Sequence, residues 1–317
     1  MMDNREKALV ESDFVRSRAC DDGITAYNFT RKAFTKKVWN RETVSARGLF
    51  VRDGHVVGRG YDKFFAIGET HGFTYDQVVD GFTLPVDVSR KENGFLGIIF
   101  ADGDALRVYS KSGNTDFAGY ARDMLDMTES EEEVIHAVCL SQNVSLTVEV
   151  CHEHDPHIVP MTPGVYLLDA IVNDFDMVLA PQVRDTILEL VPDVFTRVPR
   201  YQVTTRDELR RVVDEAYASR QEGVVLRDAD NRMVKIKSDY YRSVKALRYS
   251  IFSLLHGDES KLEKKAESMP LARFVLDHYT PEMVEECAVT TLNGNREVNI
   301  PAFMELLDVP ADQPLFA

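Results

Sequence analysis

Phe95-Leu96-Gly97-Ile98-Ile99-Phe100 is an apolar run set off on its N-terminal side by Lys91-Glu92-Asn93-Gly94. An apolar run of this length bounded by turn residues reads as a buried strand, around which the rest of the chain is organised. Gly94 allows a sharp turn where a ligand or a second segment must come close, which puts Lys91 at the mouth of a core strand. Asn-Gly is also the strongest short-range hairpin signal, and a lysine beside a hairpin turn is ordinarily just solvated. The remainder of the chain has to decide between these readings.

The 317 residues, 44% of them apolar, suffice for one large domain and a small one, folding without metal or disulfide staples. Cys20, Cys139, Cys151 and Cys287 are scattered without a CxxC pair, which suits a reducing compartment and predicts a cytoplasmic protein. No signal-peptide pattern begins the chain, and no run approaches the roughly 18 apolar residues of a membrane span, so no membrane partner is expected. The net charge of -15 repels nucleic acid at long range unless the basic residues are segregated. They are: nine basic residues against three acidic between Arg31 and Lys63, and seven against three between Arg227 and Arg248. Two such stretches fit a phosphate-rich ligand, although a basic run is also the usual composition of a solvated face.

Along the chain, Arg5 to Cys20 is predicted helical, and Ile24 to Val57 strand-like with a turn at Asp53-Gly54. The aromatic segment Gly60 to Glu69 puts Lys63 on a loop or strand end, where its stem could simply cover Phe64 or Phe65. Arg107 to Gly113 predicts a strand and turn carrying Lys111, followed by an acidic helix from about Asp116 to Leu140. Val144 to Val150 alternates, with Val144, Leu146, Val148 and Val150 on one face and Ser145, Thr147 and Glu149 on the other. Glu149 is therefore expected to point away from the core. The next segment, Cys151 to His157, is rich in ligand-type side chains, but its spacing matches no standard structural zinc pattern and predicts a polar loop.

Gly164 to Ile171 is another predicted strand, bearing Tyr166. Helices are expected over about Pro181 to Leu190 and Thr205 to Ser219, the second with a cap at Thr205-Arg206-Asp207-Glu208. Glu222 to Arg227 and Met233 to Lys237 form a predicted hairpin. In its second strand Val234 and Ile236 face one side while Lys235 and Lys237 face the other, about 7 Å apart, able to converge on one phosphate. Beyond Tyr240-Tyr241 the chain is expected to be helical. Its last segment, from Ile251, holds five basic residues against twelve acidic ones, so it is not expected to grip RNA by charge.

This order of motifs, Lys91-Glu92-Asn93-Gly94, Leu146 to Val150, Gly164 to Ile171, Glu222 to Leu226 and Val234 to Lys237, resembles the covalent nucleotidyltransferase superfamily of ligases and capping enzymes. Three upstream features narrow the resemblance to the phage-type RNA ligase 1 family and the ligase domain of fungal tRNA ligases. They are Ala46-Arg47-Gly48-Leu49-Phe50, Lys63-Phe64-Phe65 with Gly68-Glu69, and Asn93 where the superfamily more often has aspartate. The resemblance spans about Tyr27 to Tyr241; the chain has no room for the kinase and phosphodiesterase domains of the fungal enzymes.

The resemblance implies an α+β fold: a nucleotidyltransferase (adenylation) domain of antiparallel sheets with flanking helices over 1–245, and a small all-helical C-terminal domain over 246–317. DNA ligases and capping enzymes of the superfamily follow the last motif with a β-rich OB domain, so the helical tail favours RNA ligase. The implied activity joins RNA 3'-OH and 5'-phosphate ends, with tRNA among the candidate substrates and no DNA expected. It would use ATP and a divalent cation, Mg or Mn. Lys91 would carry AMP, Lys235 and Lys237 would neutralise the α-phosphate, and Glu222 and Glu149 would serve the metal. Glu149 and Tyr166 would lie by the nucleoside, with Phe65, Asn93 and Gly94 also lining the nucleotide site. Arg47, Lys63 and Tyr241 would hold the outgoing pyrophosphate, and Lys111 would complete the set. Lysine is a poor nucleophile while protonated, as an ordinary pKa of about 10.4 keeps it near neutral pH, and neighbouring cations favour the neutral amine that the reaction needs. The competing expectations are a capping-type or DNA-joining nucleotidyltransferase, and a non-catalytic RNA-binding protein on the same fold.

Overall fold

Ile98, Ile99 and Phe100 are fully buried in the Phe95–Asp102 strand of the computed structural model, which describes residues 3–70 and 72–316. That strand belongs to a five-stranded sheet ordered Thr196–Arg197, Gly164–Val172, Val144–Cys151, Phe95–Asp102, Ala105–Ser110, antiparallel except for the first pair. On one face, Leu146, Val148 and Val150 pack with Ile135, Cys139 and Ile187 from the helices Glu129–Gln142 and Pro181–Leu190. On the other, Ile98, Phe100 and Tyr109 meet Ile24, Ala26 and Phe50 of an antiparallel four-stranded sheet, Val15–Ala19, Thr25–Phe29, Arg47–Arg52, His55–Arg59. These elements lie in a unit formed by Met1–Phe64, Phe95–Cys151 and Pro163–Val198.

The second unit comprises Phe65–Gly94, His152–Thr162 and Pro199–Ala317. Its sheet runs Arg200–Val203, Val86–Arg90, Gly223–Arg227, Met233–Lys237, Phe65–Ala66, only the last pair being parallel. Val88, Leu226, Val234 and Ile236 bury one face against Leu209 and Val213 of the helix Arg206–Ala218. That helix begins with the expected reciprocal cap between Thr205 and Glu208. The helix Asp239–Ser253, capped by Ser238, sends Tyr240, Tyr241 and Leu247 into a separate core with Leu262, Leu271, Val275 and Phe303 from the helices beyond it.

Five local expectations differ from the structure. The first predicted helix is only Asn4–Glu11, and Val15–Ala19 pairs as an edge strand with Thr25–Phe29. The strand-like stretch from Ile24 holds two short helices, Arg31–Lys36 and Arg41–Ser45, capped by Thr30 and Asn40. The acidic helix is two, Asp116–Leu125 and Glu129–Gln142, divided where Asp126 turns left-handed and Thr128 caps the second. The C-terminal part is mainly helical but includes a hairpin, Ala288–Thr290 with Arg296–Val298. Ser145 and Thr147 are also fully buried, because the four-stranded sheet covers the face that alternation assigns to solvent.

Gly223 is the tightest point of the second sheet. Its φ is +139°, and a Cβ there would lie 1.9 Å from the Ile236 carbonyl oxygen. Gly119, on an exposed helical surface, has nothing within 4 Å of such a Cβ. Thermal unfolding is expected to show Gly223→Ala destabilised by at least about 2 kcal/mol. Gly119→Ala is expected to gain about 0.5 kcal/mol from its helix. Equal effects would remove the special role of the Glu222-Gly223 backbone.

Candidate active site

Backbone pairing brings Lys91 to Glu222. Arg90 stands opposite Val224 in the sheet, and the Lys91 N–H donates to the Gly223 carbonyl at 3.0 Å. Across the hairpin, Gly223 is in register with Lys237, and the Ser238 N–H donates to the Glu222 carbonyl at 3.0 Å. Three side chains from separate segments therefore meet. Lys91 Nζ and Lys237 Nζ each lie 3.0 Å from the same oxygen, Oε1 of Glu222, whose side chain is only 3% exposed.

Burial by itself would push the Glu222 carboxyl up, but the Lys91 and Lys237 ammoniums outweigh it and hold the group below its ordinary range. One buried carboxylate thus serves two lysines and leaves the cluster cationic. Lys237 Nζ also lies 4.5 Å from the centre of the Tyr241 ring. Lys235 projects from the same strand, opposite buried Val234 and Ile236 as the alternation predicts, and Phe65 pairs in register with Val234. Asn93 is buried and donates from Nδ2 to the Val159 carbonyl at 3.0 Å. Its Oδ1 is buried with no hydrogen-bond partner among the described residues, a costly arrangement that leaves an acceptor for a ligand.

Lys245 was not singled out by the sequence reading. It lies one helical turn beyond Tyr241, to whose hydroxyl its Nζ donates at 3.3 Å, and 5.3 Å from that ring. Burial pushes its ammonium below the ordinary value, and the neighbouring Lys237 and Lys91 add to the shift against Glu222. The four-residue spacing of Tyr241 and Lys245 is the signal in the sequence, and it becomes a contact because the helix starts at Asp239.

The first unit holds the remaining candidates. Arg47 donates from Nη1 to the Tyr61 carbonyl at 3.4 Å, and burial lowers its guanidinium pKa against the favourable pull of Glu149. Glu149 sits in register between Leu96 and Tyr166, and Tyr166 is buried. Burial also lowers the Lys111 pKa, and the neighbouring Arg47 and Arg16 add to the shift. Lys63 is buried; its Nζ donates to the Phe64 carbonyl at 3.1 Å and lies 5.2 Å from the centre of the Trp39 ring. No group of three or more His, Cys, Asp or Glu residues among the described residues could hold a metal ion as a cage.

The fold is that of ATP-dependent ligase nucleotidyltransferases. Two solved structures of archaeal ATP-dependent RNA ligase, forms 2 and 1, superpose with a TM-score of 0.53 each, at 15% and 17% identity. Each comparison covers 83% of this chain and 68% of the other. Residues 45–241 match the model of a family described as RNA ligase, and the chain belongs to that family. tRNA ligase 1 of Schizosaccharomyces pombe is 25% identical, over 51% of this chain and 25% of that protein. The chain thus spans about a quarter of the length of the curated relative it matches.

Because the folded Glu222 pKa lies below the ordinary 4.5, its ion pairs stabilise the protein above about pH 4.5. That stability is lost as pH falls through the depressed value. Glu222→Gln should cost about 3 kcal/mol at pH 7, where two partly buried ammoniums lose their counter-charge. The gap in Tm from the parent protein should shrink on acidification below pH 4.5. A gap independent of pH would mean that the carboxylate charge is not what holds the cluster.

Proposed function

We propose that this chain is an ATP-dependent RNA ligase that joins 3'-OH and 5'-phosphate RNA ends through a lysyl-AMP on Lys91 and an adenylylated RNA. The observation that carries the proposal is the sharing of Glu222 Oε1 by Lys91 and Lys237 at 3.0 Å each. Family membership supports RNA as substrate, and the archaeal relatives are named as ATP-dependent.

Lys91 Nζ attacks the α-phosphorus of ATP. A P–N bond forms, the P–O bond to pyrophosphate breaks, and the amine proton leaves to solvent. The RNA 5'-phosphate then takes the AMP from Lys91, and the 3'-OH attacks that phosphate and releases AMP. Lys237 and Lys235 neutralise charge on the α-phosphate through these steps. The partnerless Asn93 Oδ1 offers an acceptor to the nucleotide. Tyr241 stays beside both Lys237 and Lys245.

A divalent ion would be served largely through water, by Glu222 in the second unit or by Glu149 in the first; so few carboxylates suit magnesium, which keeps most of its waters, and manganese is the alternative. When bound, the ion would supply positive charge to the phosphates. Arg47 and Lys63 contact the β- and γ-phosphates, with Lys111 beside them, and Tyr166 lies by the adenine. Repair of a broken tRNA is the substrate reading that the fungal relative supports.

Incubation with labelled ATP should label the protein, and Lys91→Ala should abolish the labelling; a labelled Lys91→Ala protein overturns the proposal. Equal labelling from GTP would move the reading to the capping enzymes. Arg47→Ala and Lys63→Ala should slow lysyl-AMP formation about a hundredfold, yet seal RNA already carrying a 5'-adenylate within about tenfold of the parent rate. Lys237→Ala should impair both steps. Equal impairment of both steps by Arg47→Ala would assign that residue to RNA binding or to the fold.

A further inference from the structure

The basic stretch between Arg31 and Lys63 contains two contrasting sets of three cations. Arg41, Arg52 and Arg59 are committed to the carboxylates of Asp176, Asp102 and Asp62. Among the described residues, Arg31, Lys32 and Lys36 make no ion pair with any carboxylate. All three lie on the short helix Arg31–Lys36, which is anchored by Ala33 alone. Ala33 is fully buried, and the rest of the helix surface is exposed.

The same surface carries aromatic rings. Phe34 is 53% exposed and meets Trp39 edge-on, with ring centres 6.3 Å apart. Trp39 meets Phe29 edge-on at 5.3 Å and Lys63 Nζ at 5.2 Å from its ring centre. Lys32 Nζ lies 5.0 Å from the centre of the Phe14 ring. Uncompensated cations beside one exposed ring, Phe34, backed by the half-buried Trp39, are the makings of a platform for unpaired nucleotides: the cations track phosphates and the ring stacks a base. A paired duplex has no base face to offer Phe34.

We infer that the Arg31–Lys36 helix, with Phe34 and Trp39, is a binding surface for single-stranded RNA, outside the residues that handle ATP. The RNA ligase reading supplies only the identity of the polymer; the surface stands on charge and aromatic exposure. On a chain of net charge -15, such a local patch decides where a polyanion can approach.

The test uses fluorescence anisotropy on the full chain with a mixed-sequence single-stranded RNA bearing 5'-hydroxyl and 3'-phosphate ends, which cannot enter the sealing reaction. Lys32→Ala/Lys36→Ala should weaken binding and lower the slope of log K against log salt by about 1.4, the loss of two phosphate contacts. Phe34→Ala should weaken binding about tenfold and leave the slope unchanged. Duplex RNA should bind more weakly than the single strand. Labelling by ATP and thermal unfolding should match the parent protein for both variants, which separates this surface from the catalytic proposal. Binding unaltered in both variants, duplex bound as tightly as single strand, or stronger retention by anionic phospholipid vesicles than by RNA would each overturn the inference.

Discussion

One oxygen atom ties three segments of the second unit together at the Lys91–Glu222–Lys237 cluster. Glu222 Oε1 takes the ammoniums of Lys91 and Lys237, and each lysine arrives from a strand whose own pairing fixes its position. A buried carboxylate without those cations would be driven toward its neutral form, and two lysines without it would repel each other. The arrangement therefore stores an unbalanced positive charge at a defined point, which is what a transferring phosphate requires. Gly223 is part of the same device, because only a residue without Cβ lets the strand after Glu222 pass the Ile236 carbonyl.

Electrostatics in the first unit have a different character. Arg47 and Lys111 are cations displaced from their ordinary values by burial, with Glu149 as the local compensating charge of Arg47. Groups held at such an energetic cost are frequent where a charged ligand later supplies the compensation. Arg59, by contrast, is spent on Asp62 and the Asp174 carbonyl and serves the fold.

The elements with strong periodicity were legible in the sequence. The Phe95 run, the Val144 strand, the Lys235-Lys237 hairpin and the Thr205 cap all form where their patterns put them. Burial of Ser145 and Thr147 was not legible, since alternation reports one covered face and cannot reveal a second sheet lying on the other. Nor can local pattern show that Lys91 meets Glu222, more than a hundred residues away. Only the order of motifs pointed there, and the contact follows from strand register. Lys245 was overlooked because its relation to Tyr241 is a helical one, and the residues around it appeared simply as a basic stretch.

Each of the two units is stitched from three separate stretches, and the chain passes between them five times. Neither unit can be excised as a contiguous fragment, so deletion mapping would dismantle both rather than isolate one. During synthesis, the Val86–Arg90 strand waits for Gly223–Arg227 to emerge before it gains its central partner. The Glu222 carboxylate that pairs with Lys91 arrives with that same segment, so the adenylation chemistry proposed for Lys91 becomes possible only after nearly three quarters of the polypeptide has left the ribosome.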